Sequence, residues 1–396
     1  MVIRMTRSRW VFLGLSFCLQ VSAFAQQSSA PPGTAGQAAP SALPSDPVLV
    51  LRPPPRSKPL GAVTAEGPIH LDVLVSDAAG KPITGLEPSD FKLLDNNQPR
   101  RILSFRSFDG VNVKPAPPVE VILLIDMVNL PFSQLATTRE EIAKFLGQNG
   151  GHLAQPVSIM LLTDTGLRVQ PRPSVDGNAL LTVLNQIKGG LGFINPNLEG
   201  EAALQRLQVS LRQMVAIAEN ESRKPGRKLL IWVGPGWPML ESKKFSFSDK
   251  DQGRYFDAIV QLSTRIREAR MLVNSVALSD SAQGAEQRTT YYQGFLKGVP
   301  TARQADTGNL ALKVLATQSG GLILGPDNDL SLQINRCIAD ANAFYTISFN
   351  PPAAAHADEY HELKVEVAQP GVTARTSAGY YNQPPSPTVA PGHAVP

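Results

Sequence analysis

The sequence predicts an α/β fold: a doubly wound, mostly parallel sheet flanked by N- and C-terminal β-strand segments that together form a small β-sandwich. Three observations predict it. Val119 to Ile125 is a near-continuous apolar run, the mark of a strand buried on both faces. Comparable runs recur at Val157–Leu162, Leu229–Val233 and Leu272–Leu278, separated by stretches with helical periodicity. Strands alternating with helices at this spacing imply parallel pairing. Finally, the residues on either side of this region alternate apolar and polar side chains with the period of two that marks half-buried strands.

In chain order, residues 1–25 read as a cleavable signal peptide. Arg4, Arg7 and Arg9 precede an apolar stretch from Trp10 to about Val21 and the small-residue pattern Ala23-Phe24-Ala25. The apolar run is shorter than the roughly 20 residues a membrane span needs. Export to the periplasm or medium, without a transmembrane anchor after cleavage, is the expectation. Cys18 does not make a lipid-attachment site, because Phe17 sits where a small residue is wanted. Residues 26–60, which include Pro53-Pro54-Pro55, and residues 383–396 lack periodicity and read as a disordered leader and tail.

Residues 61–114 form the N-terminal β segment. Ile69, Leu71, Val73 and Val75 point one way, and His70, Asp72 and Leu74 the other. A turn at Asp77–Pro82 follows, then Phe91 and Leu93, the Asn96-Asn97 turn, and Ile102, Leu103 and Phe105. Residues 115–344 form the α/β region. Its first strand leads to a helix carrying Ile142, Phe145 and Leu146, closed by Gly147. After the second strand, Leu167–Pro171 reads as a short edge strand, and Leu204, Leu207, Leu211, Met214 and Val215 mark a long amphipathic helix. A helix over Tyr255–Arg270 turns Ile259, Leu262 and Ile266 inward. Helix Leu310–Thr317, strand Leu322–Leu324 and helix Leu330–Asn342, with Cys337 buried, complete the region. Residues 345–382 form the C-terminal β segment: Tyr345–Phe349, Glu362–Val367, a Pro370-Gly371 turn, and Val372 through Tyr381. Each flanking segment has too few strands to be stable alone. The expectation is therefore one sandwich with the α/β region inserted, against the competing picture of two separate caps.

Composition narrows the function classes. The chain has 396 residues and a formal charge of +4, and loss of the three signal arginines leaves it close to neutral. With no basic stripe, nucleic acid is not an expected partner. The cluster Arg223, Lys224, Arg227 and Lys228 reads as a solvated turn before a strand. Only Cys337 survives signal removal, so no intramolecular disulfide is expected. There is no Gly-x-Ser-x-Gly elbow, no His-Glu-x-x-His, no phosphate-cradling loop and no Gly-x-Gly-x-x-Gly opening a helix. The histidines are scattered; His356 and His361 lie near each other on a loop entering a strand, without a third partner. A non-catalytic protein is expected.

In an open parallel sheet the ligand crevice lies beyond the carboxyl ends of the central strands. The first strand ends Ile125-Asp126-Met127-Val128-Asn129, the second Leu162-Thr163-Asp164, and the third Val233-Gly234-Pro235-Gly236-Trp237. Asp126, Asn129 and Asp164 are the candidate binding residues. Asp126 and Asp164, from neighbouring strands, can face one crevice and hold a hard cation, or each can cap its own turn.

These elements resemble the von Willebrand factor A-like exported proteins of acidobacteria and related bacteria. The resemblance rests on three stretches. One is Leu71–Asp77 with Gly80-Lys81-Pro82, Gly85-Leu86, Asp90-Phe91 and Ser104-Phe105. Another is Gly226–Pro238. The last is Tyr345–Pro352 with His361, Val365 and Gly379-Tyr380-Tyr381. The resemblance implies a protein–protein interaction or surface-adhesion module. It also implies a cation held by Asp-x-Ser-x-Ser, a Thr from a later loop, and often an Asp after a later strand. Here the first motif reads Asp126-Met127-Val128-Asn129-Leu130, with apolar residues at both serine positions. Gly234 or Pro235 stands at the later Asp, and the loop around Asn195-Pro196-Asn197 offers no clear match for the Thr. A degenerate site follows: no metal cofactor is expected, and Asp126 alone is at most a weak Mg2+ or Ca2+ ligand. The expected partner is a protein or a surface ligand. The alternatives are an extracytoplasmic, hydrolase-like enzyme whose site assembles from distant residues, or a structural part of a surface assembly.

Overall fold

The computed structural model describes residues 67–170, 172–186, 201–239, 248–278 and 291–384. The signal peptide, the leader, most of the tail and the Asn195–Asn197 loop lie outside these residues. A seven-stranded sheet forms the centre. Its strands are β5 (Glu120–Asp126), β6 (His152–Thr163), β7 (Gly166–Val169), β8 (Ser174–Asp176), β9 (Lys228–Val233), β10 (Met271–Leu278) and β11 (Ile323–Asp327). The order is β11-β10-β9-β5-β6-β7, with β8 also pairing β6. From β11 to β6 the pairing is parallel, and β7 and β8 add to β6 antiparallel.

Successive side chains of these strands point to opposite faces, and both faces are covered. Ile122, Leu124, Leu230, Trp232 and Val273 pack with α3 (Glu201–Ser222), α4 (Asp249–Glu268) and α5 (Leu312–Gln318). Val121, Leu123, Ile125, Leu229 and Ile231 pack with α1 (Phe132–Leu146), α2 (Gly177–Gln186) and α6 (Leu330–Ala339). A continuous apolar run such as that of β5 is thus required by the architecture, since neither face meets water. Among the described residues no helix is long and apolar enough to cross a membrane.

Two further four-stranded antiparallel sheets are built from both ends of the chain. Their strands are β1 (Ile69–Asp77), β2 (Phe91–Asp95), β3 (Gln98–Arg100), β4 (Ser104–Phe108), β12 (Phe344–Phe349), β13 (Glu359–Val367), β14 (Val372–Arg375) and β15 (Gly379–Asn382). The orders are β14-β1-β12-β4 and β15-β13-β2-β3. Ile69 pairs with Phe349, Phe108 with Phe344, and Leu93 with Val365, so the ladders join the two flanking segments to each other. Ile69, Leu71, Val73, Leu93, Ile347, Phe349 and Val365 share one core between the sheets. Leu74 and Phe344 turn the other way, into the core shared with α1 and α6. This explains an apolar residue on the otherwise polar face of β1.

Several elements differ from expectation. The helix expected from Tyr255 begins at Asp249, where Ser248 and Asp251 form a reciprocal capping box. β8 and α2, unforeseen, occupy the stretch after the edge strand. The expected solvated cluster is half wrong. Arg227 and Lys228 are 2% and 1% exposed. The Arg227 guanidinium donates to the Asp340 carbonyl at 2.6 Å and stacks over Phe344 at 4.3 Å. Lys228 Nζ donates to the Glu221 carbonyl at 2.9 Å. Burial lowers the pKa of both, with nearby carboxylates opposing the shift.

Candidate functional site

β5 delivers Asp126 to the carboxyl end of the sheet, next to β9 on one side and β6 on the other. Its side chain is fully buried. Oδ1 accepts from the backbone N–H of Val128 at 3.1 Å and of Asn129 at 3.0 Å, and from Asn129 Nδ2 at 3.1 Å. Oδ2 accepts from Asn129 Nδ2 at 2.9 Å and from the Trp232 indole N–H at 2.8 Å. A buried carboxylate is tolerable only when its lone pairs are met, and here the loop it caps meets them. Burial raises the Asp126 pKa, opposed by the bonds from Asn129, Trp232 and the backbone.

The rest of the cluster is built around this turn. Asn129 Nδ2 also reaches Ser210 Oγ on α3 at 3.0 Å, one helical turn beyond Arg206. Arg206 is 5% exposed; burial lowers its pKa, and the negative charge of Asp126 opposes that shift. Trp232 meets Trp237 edge-on, with ring centroids 5.2 Å apart, and the Trp237 indole donates to the Leu310 carbonyl at 3.0 Å. Gly234, at φ +143°, lies so close that a Cβ there would stand 3.0 Å from the Asp126 Cβ. Of the two positions that the resemblance offers for a later aspartate, Gly234 and Pro235, the first is thus held to glycine by its backbone conformation and close packing.

The structure brings Asp126 and Asn129 into one cluster. Asp164 sits on the tight turn joining β6 to β7, half-buried, two residues beyond Leu162, the ladder partner of Asp126. Sequence reasoning missed Trp232, Ser210 and Arg206. The signal was present: a tryptophan inside a doubly buried strand needs an acceptor for its N–H. Arg206 and Ser210 are also polar interruptions on the inward stripe of Ala203, Leu207 and Leu211.

The donor set does not fit a divalent cation. Both Asp126 oxygens already face five N–H contacts, while Val128 and Leu130 are 2% and 5% exposed and buried as apolar residues. Among the described residues no group of three or more His, Cys, Asp or Glu side chains is placed to hold a metal ion.

A second polar cluster lies inside the β-sandwich. His361, expected on a loop, sits in β13 and is 4% exposed. Its Nδ1 is 2.7 Å from Asp95 Oδ1, and the Tyr380 hydroxyl donates to Asp95 Oδ2 at 2.9 Å. The Tyr380 ring stacks on the imidazole at 4.9 Å. His361 Nε2 meets no hydrogen-bond partner among the described residues, and Glu359 Oε1 stands 3.7 Å from it.

No family model matches the chain, and no curated protein matches it. Solved structures resemble it only distantly. A human COPII-coat protein aligns at 12% identity and a TM-score of 0.32, covering 67% of this chain and 44% of that one. Proximal thread matrix protein 1 from the mussel byssus aligns at 10% identity and 0.32, covering 57% and 48%. The pilus adhesin SpaC from Lactobacillus rhamnosus GG aligns at 12% identity and 0.32, covering 77% and 43%. The chain thus spans less than half the length of each of these proteins, and the low scores leave fold and function to rest on the residues themselves.

Proposed function

We propose that the protein is an exported, non-catalytic binding module of the von Willebrand factor A type, which engages a protein partner or surface ligand without a metal ion. The observation that carries this reading is the closed hydrogen-bond set of Asp126, which ties the carboxylate to its own loop and to Trp232. Next to that loop, α1 opens with Phe132, which is 64% exposed. Aromatic side chains displayed this way are favoured contacts in protein interfaces.

The test places a photo-crosslinking side chain at position 132, and a control at exposed Lys364 on the sandwich, in protein secreted by its own cells. The reading expects a discrete adduct from position 132 alone, unchanged by a chelator. An adduct lost with chelator, or formed equally from position 364, overturns it. The Asp95–His361 pair is the observation that favours an extracytoplasmic enzyme instead. Hydrolysis of ester or amide substrates, lost in His361→Gln with the fold retained, would establish that reading.

A further inference from the structure

A small surface pocket of about 40 Å³, open to solvent, lies where the sandwich meets the α/β layers. β1 supplies Asp72, α4 supplies Ser263 and Ile266, α5 supplies Leu315 and Gln318, and Arg270 stands at the turn between α4 and β10. Three features of the pocket point to a ligand. Arg270 adopts φ +48°, a left-handed conformation at a helix end where glycine or asparagine is normal. Holding an arginine there costs about 1 kcal/mol, and such strain concentrates at functional positions. Its Nε and Nη2 bind Asp72, and Nη2 also reaches Thr346 Oγ1. Nη1 makes no hydrogen bond to the described residues, and neither do the Ser263 hydroxyl and the Gln318 amide, so three uncommitted polar groups line one pocket. The surroundings are also rich in positive charge: Arg267 lines the same pocket, and Arg270 and Arg375 both act on buried Arg227, opposed there by Asp72 and Asp340.

We propose that this pocket binds a small organic carboxylate, with the acid group on Arg270 Nη1 and an apolar body against Ile266 and Leu315. A guanidinium donates to a planar carboxylate with matched geometry, and the apolar lining excludes a bare inorganic anion as the preferred occupant. This site lies at the amino ends of the strands and is independent of the function proposed for their carboxyl ends.

Calorimetry on the full chain with benzoate, benzamide and inorganic phosphate tests it. Benzoate should give a saturable isotherm, and benzamide and phosphate none. Arg270→Gln should weaken benzoate by at least about tenfold, the cost of a charge-assisted hydrogen bond. Because Arg270 also holds Asp72, the variant Ser263→Ala/Gln318→Ala, which leaves that pair intact, should weaken binding severalfold with an unchanged circular dichroism spectrum. No isotherm, equal binding of benzamide or phosphate, or undiminished binding by the Ser263/Gln318 variant overturns the proposal.

Discussion

At the carboxyl end of the central sheet, Asp126 is met by backbone, amide and indole N–H groups, all within its own loop or on the adjacent strand. At the seam with the sandwich, Asp72 is met by two guanidiniums and the Thr346 hydroxyl. Both carboxylates are shielded from water, yet their partners differ in kind. Neutral dipoles fix a loop and leave one buried negative charge, with Arg206 acting on it from α3. The seam instead pairs full charges from segments far apart in the chain, Asp72 and Arg270 being 198 residues apart. One arrangement shapes the buried loop after β5; the other docks two layers.

The seam should therefore be the more sensitive to mutation. Asp72→Asn leaves Arg227 and Arg270 facing each other without their shared counter-charge. Removing one partner of a buried pair costs about 3–5 kcal/mol, and urea unfolding of the full chain is the check. A loss below about 1 kcal/mol, the range of exposed pairs, would put the Asp72 network on the solvated side of the comparison.

Asp126→Ala should come next, at about 3 kcal/mol, because the Trp232 indole and the Asn129 amide then lose their buried acceptor. Its pH dependence sharpens the contrast. Burial raises the Asp126 pKa in the fold. The stability that this contributes is complete below the unfolded carboxyl value of about 3.9 and is lost as pH rises through the higher folded value. The unfolding free energy of the wild type minus that of Asp126→Asn should accordingly fall between acid and neutral pH. A difference that grows with pH would mean the four donor groups outweigh burial.

Val128→Ser restores a serine to the loop. It should cost about 2 kcal/mol from lost apolar burial and an unpaired hydroxyl, read as a lower midpoint in the same urea series. The smallest effect is expected at Asp109, in the link between β4 and β5. The backbone N–H of Val113, the Asn112 side chain and the Val111 N–H hold its carboxyl down at about 2. A depressed carboxyl contributes stability above the unfolded value that is lost as pH falls toward about 2. Asp109→Asn should thus lose a small stabilisation near neutral pH that vanishes in acid, and an NMR titration of Asp109 reads its pKa directly.

The parallel sheet was legible because each central strand is apolar on both faces, and the sandwich because Ile69, Leu71, Val73 and Val75 keep a strict period of two. Asp126 and Asn129 were legible as a cluster because they are local to one turn. The seam was not. Asp72 and Arg227 look like ordinary polar residues in their own segments, and only long-range packing of β1 against the turn after α4 buries them. His361 was misread for the same reason, since its partner Asp95 lies 266 residues away. α2 was overlooked because its apolar residues, Leu180 and Leu184 among them, follow a stretch of proline and turn residues that reads as loop.

Calorimetric titration of the full chain with Mg2+ decides whether the carboxyl end of the sheet holds a metal ion. A carboxylate already holding five N–H contacts, beside Val128 and Leu130 where oxygen ligands would be needed, should give no isotherm tighter than about millimolar. A micromolar isotherm that disappears in Asp126→Ala would contradict the account and make the carboxyl end of the sheet a working metal site.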